Sequence, residues 1–108
     1  MNEAFGEYIH RLRTESNLTL TKLAAALDID QSTLSKIENM KRNIPEEILP
    51  KLAHVFNLNI YELEREYFSE KIANMIYPQK DTQELLKLAE EKVRYFQNKN
   101  HQQGKLKF

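Results

Sequence analysis

Gln31, Ser32, Thr33, Ser35, Lys36 and Asn39 gather six hydrogen-bonding side chains in one short segment. Leu34 and Ile37 interrupt them at a spacing of three. A helix from about Gln31 to Met40 therefore has an apolar edge turned inward and a polar face turned outward. Amide, hydroxyl and ammonium groups of short to medium reach can donate to and accept from the edges of bases in the DNA major groove. A helix face that is merely solvated is more often rich in Glu and Lys.

Other chemistry does not assemble. The chain has no cysteine, so a thiol nucleophile, a Cys-ligated zinc and a disulfide framework are excluded. His10, His54 and His101 are far apart and none has a metal-ligand partner at helical spacing. Glu46-Glu47 and Glu90-Glu91 are neighbours in sequence, so the members of each pair point in different directions on a helix. No catalytic residue, metal site or cofactor is expected.

The elements that hold the polar face are legible from periodicity. Leu20, Leu23, Ala24 and Leu27 make one stripe of a helix from about Thr19 to Leu27. Asp28 sits at the reversal, Ile29 plugs the gap, and Asp30 is placed to cap the following helix with its carboxylate. An opening helix runs from about Ala4 to Glu15, with Phe5, Tyr8, Ile9 and Leu12 on one face. Pro45 is a good first-turn residue, and Pro50 implies that the regular helix beyond it starts only near there. Asn59 caps a long helix from Ile60 to Tyr77, which Pro78 stops. Asp81 and Glu84 form the pattern of a capping box for a last helix.

The stretch from about Tyr8 to Leu63 resembles the lambda-repressor-like helix-turn-helix family of phage repressors, Cro proteins and Xre-type regulators. The likeness rests on the opening YIHRLRTESNLT, the core LxxLAxxLxIxQSTLSKIE, the KRNIP loop and the helix LPKLAHVFNLNIYEL. It implies an all-α fold: a five-helix DNA-binding domain with a C-terminal helical extension. It also implies that Gln31, Ser32, Thr33 and Lys36 read base edges. Thr19, Thr21, Asn39, Lys41, Arg42 and Asn43 then match positions that hold phosphates and set register. The chain departs from the family at Leu20, where Gln is usual, and at Asp28 and Met40, where glycines close the first and second helices of the motif.

Charge is the main objection. The 108 residues carry 16 basic and 16 acidic side chains, and residues 1–65 hold 8 basic against 10 acidic. Distribution decides, because only the groove-facing side must be positive. Lys36, Lys41 and Arg42 cluster near the polar helix, and Arg11 and Arg13 are expected to add to them.

The organisation expected is a DNA-binding domain over 1–66, C-terminal helices over 67–98 and an irregular basic tail over 99–108. Tyr67, Phe68, Ile72, Met75, Leu85, Leu88, Ala89, Val93 and Phe96 form apolar helical faces. They either pack back on the domain or join two copies; two-fold pairing is the default for small oligomers. No apolar run approaches a membrane span, and a cytoplasmic protein is expected. The reading that follows is a homodimeric, sequence-specific regulator of transcription on palindromic double-stranded DNA, with control of a restriction–modification operon as one role. The alternative is an antitoxin-type protein that binds a protein partner through its C-terminal helices and DNA secondarily.

Overall fold

A computed structural model describes the backbone of residues 3–107 and the side chains of residues 3–100. Six helices follow one another: α1 (Phe5–Glu15), α2 (Leu20–Leu27), α3 (Gln31–Glu38), α4 (Ile48–Phe56), α5 (Ile60–Ile76) and α6 (Thr82–Lys107). No strand occurs among the described residues. The chain divides into two compact units, residues 1–71 and 72–108.

In the first unit, Ile9, Leu23, Leu27, Leu34, Ile37, Leu49 and Leu52 are fully buried. These are the inward positions of α1 to α4, and Ile29 packs against them as the expected plug. Phe5 and Tyr67 meet edge to face at 5.8 Å and close the core between α1 and α5. A Cβ on Gly6 would lie 2.2 Å from the Ile37 carbonyl oxygen, so α1 crosses α3 at a distance only glycine permits.

Four helices end the same way. The residue after the last turn takes the left-handed conformation, and two backbone N–H groups return to carbonyls of that turn. Asn17, Asp28, Met40 and Asn57 hold these positions, at φ 57, 58, 58 and 53°. At α3 the returning bonds are Met40 N–H to Ile37 O and Lys41 N–H to Lys36 O, at 3.1 and 2.8 Å. Asn and Asp tolerate this conformation; Met does so only at a cost.

Several expectations are corrected here. Tyr67 does not face a second copy: it is 4% exposed, and its hydroxyl donates to the Ile44 carbonyl at 2.7 Å. It falls within the first compact unit, residues 1–71. Helix α4 starts at Ile48, ahead of Pro50; Pro50 is the third helical residue, where the missing N–H has no intrahelical partner to lose. Asp81 has φ 55° instead of the extended backbone of a capping residue. The segment from Lys99, expected to be irregular, continues α6 to Lys107. Its Lys, Gln and Leu residues are good helix formers, and a single glycine does not break them. Side chains from His101 onward, and any contact of that segment with DNA, lie outside the described residues.

Candidate nucleic-acid interface

Thr19 begins the local structure. Its backbone is extended, and its hydroxyl accepts from the Lys22 N–H at 3.1 Å, capping α2. Two residues on, Thr21 reaches across the turn, and its hydroxyl donates to Gln31 Oε1 at 2.8 Å. The first turns of α2 and α3 are thus joined by a side-chain bridge that fixes where Gln31 points. Sequence spacing did not reveal it, since the two residues lie on different helices.

Gln31, Ser32 and Lys36 are exposed and Thr33 is half-buried, all on the outer face of α3. Asp30 occupies the capping position with extended backbone but makes no side-chain cap bond, contrary to expectation. Its exposed carboxylate stays in solvent instead. At the other end, Asn39 Nδ2 donates to the Ser35 carbonyl at 2.8 Å. Arg42 reaches back toward Thr33, its Nη1 3.4 Å from the hydroxyl, a long contact. Lys41, Arg42 and Asn43 are exposed in the loop that follows. The structure therefore brings Thr21, Gln31, Thr33 and Arg42 together in pairs, ties Thr19 and Asn39 to the backbone of their own helices, and leaves Ser32, Lys36, Lys41 and Asn43 facing solvent. Leu20, in place of the family's Gln, packs against the core.

The charge layout differs from expectation in an informative way. Arg13 does not face outward. Its Nε and Nη2 donate to the two carboxylate oxygens of Glu38 at 2.8 and 2.9 Å, and its Nη1 donates to the Leu18 carbonyl at 3.0 Å. His10 Nδ1 is 2.7 Å from Glu38 Oε1. Glu38 is the one buried charged residue of the described core, 7% exposed. Burial pushes its carboxyl up, but hydrogen bonds from Arg13 and His10 outweigh burial, and it sits below the usual carboxylate range. Arg11 is likewise engaged, by Glu3 at 2.8 Å and Glu15 at 3.1 Å. The hydrogen bonds that its guanidinium donates to Glu3 and Glu15 raise its pKa further.

Arg13 is thus spent inside the fold together with the one acid of the Lys36–Arg42 segment, and Arg11 is neutralised at the surface by Glu3 and Glu15. Lys36, Lys41 and Arg42 remain as an uncompensated positive edge on α3 and its loop, with the acids of the α2–α3 turn, Asp28 and Asp30, at its other end.

A cleft of about 300 Å³ lies elsewhere on the first unit, lined by Tyr8, Leu58, Asn59, Glu62, Leu63, Arg65 and Glu66. It pairs no nucleophile with a base. Among the described residues no helix is long and apolar enough to cross a membrane.

The helix-turn-helix family model matches residues 9–63. The HTH-type transcriptional repressor RghR of Bacillus subtilis (strain 168) is 37% identical over 57 residues, which are 52% of this chain and 42% of the repressor. The chain thus spans less than half the length of that relative. Among solved structures, the clp gene regulator ClgR from Corynebacterium glutamicum superimposes with a TM-score of 0.52 at 20% identity, covering 92% of each chain. The SinR protein/SinI protein complex gives 0.48 at 24% identity, over 84% of this chain and 97% of that one. The ClgR likeness extends the agreement in fold across nearly the whole chain.

Proposed function

The chain belongs to the helix-turn-helix family, and on that footing we propose that it is a transcriptional repressor that reads double-stranded DNA with α3. Gln31, Ser32, Thr33 and Lys36 meet base edges, and Thr19, Thr21, Asn39, Lys41, Arg42 and Asn43 hold phosphates. One observation carries this reading: the outer face of α3 has hydrogen-bonding groups and a positive edge, while its only acid, Glu38, is turned inward onto Arg13. A face selected for solvation alone has no reason to bury its acid.

The repressor acts as a homodimer, its two α3 helices about 34 Å apart on a palindrome whose half-sites are one turn apart. Support comes from the exposed apolar residues of the second unit, Ile72, Met75, Leu85, Leu88, Val93 and Phe96, which a lone chain leaves in water. Its place of action is the cytoplasm, with its DNA. No residue favours a restriction–modification operon over any other regulated gene.

Selection from a pool of random duplexes at about 100 mM salt tests the proposal, salt being controlled because phosphate contacts dominate affinity. An enriched inverted repeat is the expected result. Weak, salt-sensitive binding without enrichment overturns it, and favours the reading in which the C-terminal helices serve a protein partner.

A further inference from the structure

Helix α6 is 26 residues long, roughly 39 Å, and every residue from Gln83 to Asn100 is exposed. Its apolar stripe of Leu85, Leu88, Ala89, Val93 and Phe96 has no cover. The charges beside that stripe are sorted. All acids of α6, Glu84, Glu90 and Glu91, precede Lys92; Lys87 apart, all its cations, Lys92, Arg94, Lys99, Lys105 and Lys107, stand at or after it. Only Glu90 and Arg94 are paired within the helix among the described residues.

The sorting has a register. Glu84, Leu88, Glu91, Lys92, Tyr95 and Lys99 follow one another in helical steps of three and four, apart from the adjacent Glu91 and Lys92, so they share one flank of the helix about 100° wide, with Glu91 at its outer side and Lys92 next to the stripe. Glu84 and Glu91 are one heptad apart, as are Lys92 and Lys99.

We propose that α6 pairs with α6 of a second copy in antiparallel orientation, with the two-fold axis between Glu91 and Lys92. This rests on the homodimer reading above and adds its geometry. About that axis Glu91 faces the partner's Lys92, Glu84 faces the partner's Lys99, and Leu88 packs against the partner's Tyr95. Symmetry makes each ion pair twice. A parallel pair sets Glu84 against Glu84 and Lys92 against Lys92, which is repulsive at every one of these positions. Antiparallel helices also oppose their macrodipoles favourably.

The absence of cysteine from the chain makes the orientation directly readable in the full-length protein. A chain carrying Glu84→Cys, mixed with one carrying Lys99→Cys, forms a mixed disulfide on oxidation, while each alone stays unlinked. Sedimentation gives a dimer for the unaltered chain. Glu84→Lys with Glu91→Lys weakens it by about tenfold or more, and adding Lys92→Glu with Lys99→Glu restores it to within about threefold. A dimer in which Glu84→Cys links to itself overturns the orientation alone. A dimer that forms no link at these positions, or that the fourfold charge exchange fails to restore, places the interface off α6. A monomer, with α6 covered by its own chain or awaiting a different protein, overturns the homodimer reading as well, while an enriched but non-palindromic DNA site would leave DNA reading intact.

Discussion

Arg13 and Glu38 close a bidentate ion pair between α1 and the back of α3, at 2.8 and 2.9 Å, with Glu38 side-chain atoms only 4% exposed. The pair fixes the helix that carries the polar face, so recognition depends on a contact that DNA never touches. Glu38→Gln leaves the Arg13 charge without its partner. We expect a loss of about 3 kcal/mol in urea unfolding, the low end for a broken buried pair because Arg13 keeps some access to water. The effect has a sign in pH. A carboxyl held below its ordinary range stabilises fully above that range and stops doing so as pH falls through its lower folded value. The difference in stability between the two proteins should therefore shrink below about pH 4.3, the ordinary Glu value. A gap unchanged down to pH 3 would contradict the assignment.

Gly6→Ala places a methyl against the Ile37 carbonyl at a separation no pair of atoms tolerates. Helix propensity favours Ala by roughly 1 kcal/mol, but overpacking of this kind costs about 1–3 kcal/mol, and the obstacle is backbone. The expected outcome is a lower melting temperature by circular dichroism; an increase would mean that α1 and α3 do not approach as described.

Met40→Gly removes the strain of a left-handed Met at the end of α3. The side chain is 54% exposed, so little packing is lost, and the gain is about 1 kcal/mol. The same denaturation assay checks it, and a destabilised variant would show that Met40 contributes packing the exposure does not suggest.

Much of this arrangement was legible in the sequence because it follows local rules. The stripes Leu20-Leu23-Ala24-Leu27 and Leu34-Ile37 are periodic. Asn59 caps α5 as read, its Oδ1 accepting from the Tyr61 and Glu62 N–H groups at 2.9 and 3.1 Å. What escaped was long-range. Nothing in the spacing of Arg13 and Glu38 says that they meet, so spacing alone leaves Arg13 among the outward cations. The Tyr67 ring continues the apolar stripe of α5 and so resembles interface in the sequence; its partner, the Ile44 carbonyl, belongs to a loop that periodicity cannot place. Thr21 and Gln31 escaped for the same reason.

Gln31→Ala and Arg42→Ala separate reading from holding. The first should lose about 1–3 kcal/mol of discrimination at one base pair per half-site, leaving other positions unchanged. The second should weaken all sequences alike and flatten the salt dependence by about one unit. Binding titrations on a set of singly substituted operators at several salt concentrations measure both. Uniform losses in both variants would mean that Gln31 contacts the backbone only.

Amide chemical shifts of the isotope-labelled full chain decide whether α3 and its flanks meet DNA. On addition of a duplex enriched by selection, the largest shifts should fall at Thr19–Lys22, Gln31–Lys36 and Asn39–Asn43. Shifts concentrated on α5 and α6, with α3 unmoved, would show that α3 does not read the duplex.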